Sequence, residues 1–100
     1  MKGRVVFLIR LKPGTEERFL QAYEGIRHLV AQGVKGHILD QVCQSPTDLE
    51  SWAITSEWES LDDFLDWERT EEHRELVKPM RECMAEARSL KFVVREETGH

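Results

Sequence analysis

Residues 4–12, RVVFLIRLK, form a strand that is apolar on both of its faces. Val5, Phe7, Ile9 and Leu11 fall on one side, and Val6 and Leu8 give the other side apolar character too. A strand that meets water on one side alternates apolar with polar residues, so this one requires cover on both. Pro13-Gly14 ends it in a turn.

The rest of the chain must supply that cover. Thr15 is a suitable helix N-cap, and Glu16 and Glu17 suit the positive end of a helix dipole. Phe19, Tyr23, Ile26 and Val30 recur at helical spacing, and Gly33 is a stop, so a helix is predicted over 15–32. Residues 36–44, GHILDQVCQ, read as a second strand, followed by the turn signal Ser45-Pro46-Thr47-Asp48. Residues 50–58, ESWAITSEW, alternate as a third strand, antiparallel to the second because the connection is short. Ser60 caps the next helix, with Asp63 three residues on as an acidic form of the capping box; Leu61, Phe64 and Leu65 make its stripe and Trp67 its edge. Thr70, with Glu71 and Glu72, starts another helix. There His73, Leu76, Val77, Met80, Met84 and Ala87 share one face, and Pro79 imposes a kink or a fresh start. Residues 90–96, LKFVVRE, are the fourth strand, and Glu97–His100 form a polar, loose tail.

The order is βαββαβ. It predicts an α+β fold of the ferredoxin-like plait type, a four-stranded antiparallel sheet with its helices on one face. One domain is expected over residues 1–100, ordered over about 4–96. The helices leave one sheet face bare, and a second copy of the chain is the economical cover.

Charge and motif narrow the function. Nineteen acidic against 14 basic residues give a net charge of −5, which disfavours nucleic acid as a partner. No apolar run is long enough to span a membrane, and Lys2, Arg4 and Arg10 interrupt any signal-peptide pattern, so a cytoplasmic location is expected. Cys43 and Cys83 then read as free thiols. HExxH, CxxC, GxGxxG and P-loop patterns are missing, so no metal and no cofactor is expected.

Several of the remaining candidates have two readings. His73 is either a core histidine satisfied by hydrogen bonds or a neutral imidazole in a pocket, able to accept a proton. Trp67 is either packing or a flat wall for an aromatic ligand. Trp52 and Trp58 share a strand face and read as core. Asp63 is a helix-start charge or a partner for a ligand hydroxyl. His37, after Gly36, reads as a surface residue at a strand end. Arg88, just before the last strand, is a solvated charge or a partner for an anionic substrate.

The segments LKPGTEERF, GVKGH and above all SEWESLDDFLDWERTEEHREL resemble the antibiotic-biosynthesis monooxygenase superfamily of dimeric α/β-barrel proteins, over about residues 4–96. The resemblance implies a homodimer with sheets packed face to face and a pocket between each sheet and its helices. Many members oxidise polyketide- or quinol-type aromatics with O₂ and without flavin, haem or metal. In the actinorhodin-pathway type, an Asn precedes a Trp by four residues and a Tyr follows it by six. Those positions hold Asp63, Trp67 and His73 here. The positions that carry an Asn and a His in haem-degrading members hold approximately Phe7 and Val77, so haem degradation is not implied. The expectation is a cofactor-independent monooxygenase acting on a small aromatic substrate and O₂. His73 would be its base, with Trp67 and Asp63 beside it; Phe7, Trp58, Met80 and Met84 would be apolar walls, and Arg88 would orient substrate oxygens. An aromatic polyketide cyclase and a non-catalytic ligand-binding domain are the alternatives.

Overall fold

The computed structural model describes residues 1–99; the part of the predicted tail at His100 lies outside them. The order is β1 (Gly3–Leu11), α1 (Glu16–Gly33), β2 (His37–Gln44), β3 (Ser51–Trp58), α2 (Leu61–Glu68), α3 (Glu71–Arg81) and β4 (Met84–Val93). The sheet is antiparallel throughout, in the order β2-β3-β1-β4. This is the ferredoxin-like plait that the periodicities predict, and β1, apolar on both faces, lies in its interior.

Val5, Ile9 and Leu11 of β1 and Trp52 and Trp58 of β3 are buried on the helix side, against Phe19, Ile26 and Val30 of α1, Phe64 of α2 and Met80 of α3. Gly3 lets α2 lie directly on β1, since a Cβ there would stand 2.5 Å from the Leu61 Cα. The opposite sheet face has no helix. Val6, Leu8, Leu39, Leu90 and Phe92 meet on it by register, and Leu8, Leu39 and Phe92 are exposed.

Several expectations need correction. Met84 and Ala87 belong to β4, not to a helical face, and β4 begins six residues before the predicted Leu90. The reason lies in β1, whose second edge needs a partner along its whole length; β4 pairs with it from Gly3–Val93 to Leu11–Met84. The Thr15 side chain does not cap α1. Its hydroxyl donates instead to the Lys12 and Cys83 carbonyls, at 2.8 and 3.2 Å, tying the turn before α1 to the residue that precedes β4. In the tail, the Glu97 carboxylate lies 3.1 Å from Lys2 Nζ, an exposed ion pair. Pro79 stands inside α3, which runs through it to Arg81. Both cysteines are free, Cys43 exposed and Cys83 buried. No helix of the described residues is long and apolar enough to cross a membrane.

Two β-bulges break the period-2 alternation. In β2, His37 opposes Trp58 and Leu39 opposes Glu57, so Ile38 is an extra residue. In β4, Glu86 opposes Arg10 and Met84 opposes Leu11, so Ala85 is extra. Each bulge turns the residue before it toward the helices: His37 in β2 and Met84 in β4.

Candidate active site

Between sheet and helices lies an open-mouthed cavity of about 120 Å³. Val5, Phe7, Ile54, Trp58, Phe64, Leu76, Val77, Met80 and Met84 make it largely apolar. Its polar groups are Tyr23, Asp40, Ser56, Glu68, His73, Arg81 and Ser89.

Local sequence explains how Trp67 and His73 come to face each other. Ser60 caps α2, accepting from the Asp62 N–H at 3.2 Å. At the break between α2 and α3, one hydroxyl serves both helices. Thr70 Oγ1 donates to the Trp67 carbonyl at 2.7 Å and accepts the His73 N–H at 3.1 Å. The last turn of α2 and the first of α3 are thereby clamped together. Trp67 and His73 meet edge to face, with ring centroids 5.5 Å apart. Half-burial, and then the Arg81 charge, hold the His73 pKa below its ordinary 6.5, with Glu68 opposing. The imidazole therefore stays neutral at pH 7 and can accept a proton.

The structure brings together six of the eight predicted site residues. Phe7, Trp58, Trp67, His73, Met80 and Met84 all line the cavity. Asp63 does not. It lies in a shallow outer groove with Leu29, Gly33, Lys35 and Asp66, behind Trp67, which forms a wall of both spaces. Its carboxylate packs against Gly36, whose φ of +81° and missing Cβ make room for it. Arg88 is also outside the cavity. It sits within β4 opposite Leu8, on the bare sheet face, while its neighbours Ala87 and Ser89 oppose Ile9 and Phe7 on the helix side. The strand period decides this, because β4 starts earlier than its sequence suggests.

The structure adds groups that the sequence pattern does not single out. His37 is not a surface residue: its side chain is 4% exposed, Nε2 lies 2.8 Å from Asp40 Oδ1, and the ring stands edge-on to Trp58 at 5.2 Å. Trp58 is fixed in turn by Phe64 at 5.3 Å and by its indole N–H, which donates to Ser56 Oγ at 2.9 Å. Asp40 and Tyr23 add a carboxylate and a phenol to the lining. The helical stripe of α1 pointed to Tyr23, but as core. Nothing in the pattern pointed to His37, because a bulge leaves no local signature. Among the described residues no three His, Cys, Asp or Glu side chains gather as a metal site requires.

Known proteins resemble this chain in architecture and in sequence. Residues 3–79 match the family model described as "Antibiotic biosynthesis monooxygenase". The 42.8 kDa protein in the whiE locus of Streptomyces coelicolor is 43% identical over 95 residues, 95% of this chain and 24% of that protein. Polyketide synthase CurD of Streptomyces cyaneus is 38% identical over 96 residues, 96% of this chain and 25% of that protein. The chain thus spans about a quarter of the length of these curated relatives. Among solved structures, SnoaB, a cofactor-independent oxygenase from Streptomyces nogalater, superposes with a TM-score of 0.84 at 12% identity, covering 99% of this chain and 98% of that one; at that identity the likeness is one of fold. The match over residues 3–79 decides the matter: the chain belongs to the antibiotic biosynthesis monooxygenase family.

Proposed function

We propose that the chain is a cofactor-independent monooxygenase acting on a phenolic, polyketide-type aromatic. The observation that carries this reading is the Trp67–His73 pair, a half-buried neutral imidazole set edge-on to an indole in an apolar cavity. The curated relatives, whose names include a polyketide synthase, support the substrate class.

In the proposed reaction an anthrone-like substrate lies against Trp67. His73 takes a proton from its activated CH₂ carbon, giving an electron-rich anion. That anion passes one electron to O₂, and the radical pair joins as a carbon-bound peroxide. Return of the proton from His73 gives the hydroperoxide. Loss of water then converts the original CH₂ to a carbonyl, with one oxygen atom retained and the other released as water. The substrate supplies all the electrons. The walls of Phe7, Trp58, Met80 and Met84 keep bulk water from the anion and peroxide. A second copy of the chain is proposed to cover the bare sheet face, giving a homodimer.

Oxygen uptake with a panel of anthrones and naphthohydroquinones tests the reading. Uptake above the no-enzyme rate, lost by about 10²–10⁴-fold in a folded His73→Ala variant, is expected. Full activity in that variant would remove the base from the scheme. Binding of the panel with no uptake would favour a cyclase or a ligand-binding protein.

A further inference from the structure

The cavity has a second polar wall, which the Trp67–His73 pair does not use. Asp40 contributes a carboxylate from β2, and Tyr23 contributes a phenol from the facing side of α1. Behind them His37 lies buried, with Nε2 2.8 Å from Asp40 Oδ1. A carboxylate has no proton to give, so Nε2–H is the donor, and the imidazole holds the carboxylate in place. His37 is itself held edge-on by Trp58.

The backbone is shaped to allow this. Residues three apart on a regular strand point to opposite faces. The extra residue Ile38 cancels that alternation, so His37, opposite Trp58, and Asp40, opposite Ser56, both face the helices. The Asp40 side chain is only 18% exposed. It has two oxygens and room for about four hydrogen bonds, of which His37 uses one. Burial first, and then the Asp40 charge, raise the Tyr23 pKa, so the phenol stays protonated and competes with a ligand hydroxyl as a donor to the carboxylate.

We propose that Asp40, positioned by His37, is the acceptor that reads a phenolic hydroxyl on the aromatic ligand. This selects ligands with an O–H at that end over congeners with a carbonyl, ether or methyl group there. A carbonyl or ether would set lone pairs against lone pairs, and a methyl group would strip water from the carboxylate without replacing it. The inference rests on the reading of the cavity as an aromatic site, but not on the use of O₂.

Equilibrium dialysis of the intact protein with 2-naphthol and 2-methylnaphthalene tests it. The probes differ by a hydroxyl against a methyl group of similar size. The readout is the ratio of their affinities, from which general loosening of the cavity cancels. Asp40→Asn is expected to lower the naphthol preference about 10-fold, as a charged acceptor becomes neutral. His37→Gln, which releases the carboxylate from its position, lowers it as well and serves if the first variant folds poorly. Tyr23→Phe leaves the ratio unchanged or raises it. If both probes bind and the ratio is unmoved in Asp40→Asn and His37→Gln, the inference is overturned and the aromatic site stands. A ratio that collapses only in Tyr23→Phe would give the hydroxyl to Tyr23 and overturn it as well. If neither probe binds, the aromatic reading fails and takes the inference with it.

Discussion

At the scale of single residues, the behaviour of His73 is set by what surrounds it. Burial is the larger cause of its lowered pKa, Arg81 from its own helix adds to it, and Glu68 from α2 works against both. If His73 is the base, kcat/KM against pH has an acid limb with its midpoint below 6.5. Arg81→Gln should move that midpoint upward, toward 6.5; a limb that stays in place would show that the guanidinium does not act on the imidazole. The same shift has a sign for stability. Between the ordinary pKa and the lower folded one, the unfolded chain binds the proton and the folded chain does not, so this residue's contribution falls as pH drops through 6.5 and levels off below the folded pKa. Urea unfolding at pH 7.5 and 5.5 should therefore show a smaller pH-dependent loss in His73→Gln than in the wild type.

At the scale of elements, the Thr70 hydroxyl joins two helices through two bonds. Thr70→Ala is expected to cost about 1 kcal/mol of stability and to lower activity further by freeing Trp67 from His73. Thr70→Ser keeps the hydroxyl and should restore both; a Ser variant as impaired as the Ala variant would mean that the threonine methyl group, not the clamp, matters. This junction was legible in the sequence because capping residues act over three positions, and Thr70, Glu71 and Glu72 lie together. The βαββαβ order was legible for a similar reason, since periods of 2 and 3.6 are written in consecutive residues. Strand β4 was not. Met84 and Ala87 extend the helical spacing of His73, Leu76, Val77 and Met80, so local pattern favoured a longer helix, and pairing with the distant β1 overrode it. His37, Asp63 and Arg88 were misplaced in the same way, by a bulge, by a close approach at Gly36 and by the register of β4, all of which are long-range facts.

At the scale of the whole molecule, the bare sheet face is the largest unfinished feature. Leu8, 41% exposed, and Phe92, 51% exposed, lie on it beside Val6 and Leu90. Proposed pairing of two copies through this face predicts that Leu8→Glu shifts the chain from dimer to monomer in sedimentation and lowers its Tm, because the charge would be buried against its own copy. A monomeric wild type, or a Leu8→Glu variant that stays dimeric, would refute pairing through this face. The bulge at Ile38 has another consequence, for how sites are compared across relatives. A relative lacking that one residue would keep the same β2 side chains toward its cavity, because the extra residue drops out and the pairing on either side of it is unchanged. Ungapped columns through this strand would then equate a ligand-facing position in one protein with an outward-facing one in another. The gap in such a comparison belongs at Ile38, and only there does it bring His37 and Asp40 together into register with their counterparts.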